Sequence, residues 1–234
     1  MKKGISEINA GSVADIAFLL LIFFLVSTTL DVDQGIARSM PRICNDCPKP
    51  PIIDRNVLKI AVNRNDEIRI EDESVQPEDI PDKIRHFYTA NSIDLNGTVD
   101  MPKYDRYTID ECSGKLTSIN SELVQSPKNN QLQDQLEKWQ LRLAICQASP
   151  SGQYTEIDNN AVVQLISSNE TTYARYLEIQ NAIKKVVNEL RQEHCERLHW
   201  GDYFDLNENN KADAEKIKML RILVPEHIVE PLNL

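Results

Sequence analysis

A single carboxylate stands at the head of an apolar run. Asp15 lies in the stretch Val13–Leu30, VADIAFLLLIFFLVSTTL, and eleven apolar residues follow it without a break from Ile16 to Val26. A carboxylate at the centre of a hydrocarbon layer costs of order 2.5–3.5 kcal/mol, and less near a helix end, where it reaches interfacial water. Two chemistries fit such a group. One is a boundary acid tolerated at the interface. The other is a proton carrier facing a partner helix, since apolar surroundings favour the neutral carboxyl. A carboxyl so tuned loads a proton on one side of the layer and releases it on the other.

The cysteines are the next reactive groups. There are five, Cys44, Cys47, Cys112, Cys146 and Cys195, all after the apolar run. Cys44-Asn45-Asp46-Cys47 has the C-x-x-C spacing of redox proteins, in which the motif opens a helix that lowers its pKa. Here it lies among Pro41, Pro48, Pro50 and Pro51. A local or inter-subunit disulfide, unpaired thiols and redox catalysis all remain open for this pair. Residues 205–216, DLNENNKADAEK, put acids or amides at calcium-loop positions 1, 3, 5 and 9. They lack the glycine at position 6 and carry Lys216 where a bidentate Glu belongs, which argues against calcium. His86, His194, His199 and His227 form no H-E-x-x-H pair, and the corner His194-Cys195-His199 has no fourth ligand spaced for zinc. Asn96 and Asn169 occupy N-x-T sequons, which matter only in a eukaryotic secretory context. No glycine-rich phosphate loop and no G-x-S-x-G is present.

The apolar run must position Asp15. As a helix its 18 residues span about 27 Å, close to the hydrocarbon thickness of a bilayer. Lys2 and Lys3 precede it and Asp31 and Asp33 follow it, which places the amino end in the cytoplasm and exports the rest. A cleaved signal peptide is the competing reading. An acid inside the run and the absence of an A-x-A-like site in VSTTLDVD weigh against it. The net charge is −10. Lys2, Lys3, Glu7 and Asp15 cancel within residues 1–30, so the whole excess lies in the exported part. That argues against nucleic acid and against a polybasic membrane patch.

Ile8–Leu30, INAGSVADIAFLLLIFFLVSTTL, resembles the membrane segment of the ExbD/TolR family, which begins I-N, carries one Asp seven residues on and continues through an L-L-I-x-F core. Gln34–Pro41, QGIARSMP, is similar to the family's following stretch. The family often has Thr-Pro where this chain has Gly11-Ser12, which leaves the helix start open and the acid's position unchanged. The resemblance implies the minor subunit of a proton-driven motor in the inner membrane of Gram-negative bacteria. Two copies of the helix would sit inside a ring of an ExbB-like protein. Asp15 would be the proton relay, protons the coupling ion with no other cofactor, and a TonB-like or TolA-like periplasmic protein the recipient of the motion. Gln34, Gly35, Ile36, Met40 and Pro41 become a candidate partner-binding stretch. The chain is then no enzyme but a subunit serving TonB-dependent outer-membrane transport, or a TolR-like stator of another envelope machine. A reading of another class is a membrane-tethered periplasmic redox or binding protein using Cys44 and Cys47. Asp15 discriminates, because a generic anchor has no use for an intramembrane acid.

The expected architecture is a membrane-anchored α+β protein. It comprises a cytoplasmic tail (1–12), a single transmembrane helix (13–30), an extended proline-rich linker (31–56) and a periplasmic α+β domain (57–234). Leu58, Ile60 and Val62 alternate with Lys59 and Ala61, and Ile68–Glu71 alternates again after the turn NRNDE, predicting a hairpin. Ile80, Ile84, Phe87 and Tyr88 recur at helical spacing. Residues 92–158 depart from the short family pattern and read as an insertion. Leu132, Leu136, Trp139 and Leu143 mark a helix over about 129–147. Leu116, Ile119 and Leu123 mark a shorter one before it, so the two form an αα-hairpin. That hairpin is either packing on the domain or a contact surface for a partner. A buried strand at 161–166, a long helix over 172–197 with Tyr173, Tyr176, Ile179, Ile183, Val186, Val187 and Leu190 facing inward, a helix at 212–223 and a closing strand at 227–230 complete it. The hairpin brings its outer ends together, so Cys112 and Cys146, with 33 residues between them at positions 113 to 145, are expected to form a disulfide. Cys195 is left unpaired.

Overall fold

The computed structural model describes residues 10–28, 53–95, 97–168 and 170–231, with side chains of residues 13–24 in the first stretch. The chain divides into two units, Met1–Lys49 and Pro50–Leu234.

In the first unit the helix α1 runs Ala10–Thr28, 19 residues or about 28 Å. It includes Gly11 and Ser12, so the family's Thr-Pro is not needed to start it. The described side chains, residues 13–24, cover about 18 Å of that length. Over the described residues no helix is long and apolar enough to cross a membrane.

The second unit is built on a five-stranded sheet, in the order β3-β2-β1-β6-β7. β1 is Val57–Val62, β2 is Ile68–Ile70 and β3 is Glu73–Val75. They form an antiparallel meander in which Ile60 faces Ile70 and Ile68 faces Val75. The expected hairpin is thus extended by a third strand of three residues. Its sequence, ESV, is too short and polar to show an alternation. The start of the domain also differs from expectation. Asn56, placed in the linker by the sequence, is buried, and its Nδ2 donates to Asp158 Oδ2 at 2.9 Å.

α2, Ile80–Thr89, buries Ile80, Ile84, Phe87 and Tyr88, the four residues whose spacing predicted it. β6, Val162–Ser167, returns beside β1 in parallel, with Ile60 opposite Leu165. Parallel neighbours need a long crossover, and α2 with the insertion supplies it. α5, Tyr173–Arg197, lays Ile179, Ile183, Val186, Val187 and Leu190 into the core. Thr172 caps it, its Oγ1 accepting from the Arg175 amide. Burying each of those aliphatic side chains contributes about 1.5–3 kcal/mol, so this stripe dominates the helix's attachment. Tyr173 does not join it. Placed on the first turn, it points outward and stacks on Tyr176.

The chain closes with α6, Lys211–Leu223, and β7, Ile228–Val229, parallel to β6. Arg191 fixes this tail. Its guanidinium is buried, donates to the Val224 carbonyl and the Tyr203 hydroxyl, and lies 3.7 Å from Glu226. The Tyr88 hydroxyl donates to the Pro225 carbonyl beside it.

The insertion is an αα-hairpin standing on a two-stranded base. α3 is Ile109–Gln125, 17 residues and longer than expected, and α4 is Asn130–Ala148. The base, unforeseen in the sequence, pairs β4, Tyr104–Thr108, antiparallel with β5, Gln153–Ile157. YDRYT and QYTEI lack an apolar alternation because one face of this pair covers a polar group. Arg142 of α4 lies with its Cζ 4.4 Å from the Tyr107 ring centre and 4.7 Å from that of Trp139. Its Nε and Nη2 donate to Glu156 Oε2 and Oε1 at 2.9 and 2.7 Å. Tyr154 stacks on Tyr107 and its hydroxyl donates to Glu156 Oε2. A buried bidentate pair of this kind is compensated on both sides, and it is what fastens α4 to the base.

Candidate functional site

α1 carries one ionisable side chain. Asp15 sits on the helix surface in line with Phe18, Leu19 and Ile22, at i+3, i+4 and i+7, positions that share a face. Within the isolated chain this whole face is bare, with Phe18 59% and Leu19 58% exposed. Over the described side chains, residues 13–24, the other positions are aromatic or aliphatic, and Phe23 meets Phe24 edge to face. The sequence produces this locally: leucine favours the helix and none of the interior residues breaks it. The carboxyl is therefore the one acid of Ala10–Thr28, and the polar side chain nearest it in sequence is the Ser12 hydroxyl, three positions earlier. A helix apolar all round is one that other apolar matter covers.

Gln34, Gly35, Ile36, Met40 and Pro41, and the pair Cys44 and Cys47, lie outside the described residues, as do Asn96 and Asn169. Cys112 and Cys146 are both fully buried at the base of the helical hairpin, as its geometry required, with Sγ atoms 4.0 Å apart. They are two free thiols in this structure. The Cys146 thiol accompanies this by donating to the Tyr107 carbonyl, and burial pushes its pKa up to about 12. Burial raises that of Cys112 as well. Cys195 is buried in the parent domain as a free thiol. His194 projects from the end of α5, and burial, reinforced by Arg197, lowers its pKa to about 4, so the ring is neutral. In the calcium-like stretch Asn210 serves as the N-cap of α6. Among the described residues no group of three or more His, Cys, Asp or Glu is placed to hold a metal.

Sequence reasoning missed Arg142 and Glu156, since a charged residue on a helix and another on a strand show nothing locally of their pairing. It also missed Arg106 and Arg197, which the fold brings to one cavity.

The described chain is thus an apolar helix bearing one acid, joined in sequence to an α+β domain. In the comparison with known families, residues 1–191 match the family described as biopolymer transport protein ExbD/TolR, and the chain belongs to that family. Family members are non-enzymatic transport subunits anchored in the inner membrane, and they work with ExbB- or TolQ-type partners. The match ends at Arg191, the residue that clamps the C-terminal tail. No curated protein and no solved structure matches the chain.

Proposed function

We propose that the chain is the minor subunit of an ExbB–ExbD-type motor, coupling the proton motive force to TonB-dependent outer-membrane transport. The observation that carries this is Asp15, the lone acid on an apolar helix, at the position of the family's membrane acid. In this reading α1 spans the inner membrane with the amino terminus in the cytoplasm. Two copies pack within a ring of an ExbB-like protein, which covers the bare apolar face. Asp15 takes a proton from the periplasmic side and gives it up to the cytoplasm. The neutral carboxyl is at home in apolar surroundings, and the carboxylate seeks a polar partner on the ring. Alternation between those two states is the source of motion. The segment around Gln34–Pro41 and the domain from Ile53 onward carry that motion to a TonB-like transducer.

Asp15→Asn tests the reading. The amide keeps size and hydrogen bonding but cannot cycle a proton. The expected result is a variant that copurifies with its ring protein at wild-type yield while energised uptake is abolished. Full uptake by the variant, in a strain with no second copy of the gene, would refute the relay. Copurification of the periplasmic partner from the same strain separates a TonB-like from a TolA-like transducer.

A further inference from the structure

Where the insertion meets the parent domain, a cavity of about 280 Å3 opens between β4, β5 and the C-terminal ends of α4, α5 and α6. Its lining holds Arg106, Arg197 and His194 and no Asp or Glu, in a chain with 36 acidic against 26 basic residues. Five other arginines, Arg85, Arg142, Arg175, Arg191 and Arg221, each hold a carboxylate. Arg55, Arg64, Arg69, Arg106 and Arg197 hold none among the described residues, and of these Arg106 and Arg197 share this cavity. Arg197 ends α5 and eases the helix's C-terminal dipole. That accounts for one cation and not for Arg106, which comes from another element and sits opposite Thr155 in the β4–β5 register.

The polar groups of the wall sort themselves. Ser149 and Ser151 already donate to the Gln153 carbonyl, and Thr155 donates to that of Ser92. The side-chain donors left for a ligand are the two guanidiniums, the His194 ring and the Gln153 amide. The apolar part of the lining is Ile145, Leu198 and Leu223, buried below, and Ile93, 93% exposed, at the mouth. A guanidinium is the group best shaped to grip an oxyanion in a fork. A volume at the small end for ligand sites suits a small molecule.

We propose that this cavity binds a small amphipathic oxyanion, a carboxylate or a phosphate monoester. Its charged end lies between Arg106 and Arg197, and its apolar body rests on Ile93, Ile145, Leu198 and Leu223. Because the wall is shared by the insertion and the parent domain, an occupant ties the two together. The site stands independently of the motor reading, since it uses nothing of α1.

The test is calorimetric titration of the full-length protein in detergent with benzoate, phenyl phosphate and neutral benzamide. Saturable binding of benzoate or of phenyl phosphate is expected, and which of the two binds more tightly identifies the headgroup. Benzamide, of the same shape without the charge, is expected not to bind. Arg106→Gln and Arg197→Gln, both at exposed positions, should each weaken the binding about tenfold or more, as for loss of one charge-assisted hydrogen bond. Their unliganded melting temperatures should match wild type, which separates lost affinity from lost fold. No saturable binding of either anion into the millimolar range overturns the proposal. So does wild-type affinity in either variant, or benzamide binding as well as benzoate.

Discussion

Arg142 is the one residue whose removal should unfasten the insertion from its base, and the size of the effect follows from its surroundings. Arg142 is 8% exposed and Glu156 4%. In Arg142→Met the aliphatic stem is kept, so the packing against Tyr107 and Trp139 is largely retained. What goes is the guanidinium and its two hydrogen bonds to Glu156. Glu156 then stays buried with one neutral donor, the Tyr154 hydroxyl at 2.9 Å. Leaving one partner of a buried ion pair uncompensated costs about 3–5 kcal/mol, against a total stability of roughly 5–15 kcal/mol for a domain. Removing both charges in Arg142→Met/Glu156→Met should restore stability to within about 1 kcal/mol of wild type, because the desolvation of two ions goes with their attraction. Urea unfolding of the full-length protein in detergent reads this through its two tryptophans. Trp139 touches Arg142, whereas Trp200 packs against the core of the parent domain. The Trp139 transition should move to lower urea first. A loss below about 1 kcal/mol in the single variant, or a double variant as unstable as the single, would show that the pair does not hold the insertion as argued.

Three further outcomes are expected. His194 has its pKa lowered to about 4 in the fold against about 6.5 in an unfolded chain, so the unfolded state binds the extra proton between those values. Stability should therefore be complete above about pH 6.5 and fall as pH drops towards 4, by at most about 3 kcal/mol and less where solvent reaches the half-buried ring. His194→Gln should flatten that part of the pH–melting curve, and an unchanged slope would contradict the assignment. Cys112 and Cys146 should be joined in protein recovered from an oxidising periplasm. Two thiols there lose two protons and two electrons to a disulfide-bearing oxidoreductase during folding, before burial suppresses their thiolates. Non-reducing peptide mapping checks this, and Cys112 found free or paired with Cys195 counts against it. Where it forms, the bridge closes a loop worth about 3–4 kcal/mol in the chain-entropy model, so reduction should lower the melting temperature of the insertion and leave that of a Cys112→Ser variant unchanged.

Much of this protein was decided by local pattern. The composition of Ile16–Val26 makes α1 helical and apolar without help from the rest of the chain, and it isolates Asp15 on it. The 3.6-residue stripe from Ile179 to Leu190 fixed α5 and its buried face, and the alternation of Leu58, Ile60 and Val62 fixed β1. Even the meeting of Cys112 with Cys146 was legible, because two helices joined by a short turn must bring their outer ends together. Tertiary structure decided what periodicity cannot carry. β6 lies beside β1 although about a hundred residues separate them, a pairing that depends on which apolar faces remain uncovered once α2 and α5 are in place. β4 and β5 are strands because together they enclose Arg142 and Glu156. Neither polar group is tolerable inside the protein alone, so neither position can be read without the other. Arg106 and Arg197, 91 positions apart by their numbering, look like ordinary surface cations until the fold sets them around one cavity. Charge complementarity and its absence are properties of neighbours in space, and the sequence names those neighbours only where they are also neighbours along a helix or a hairpin.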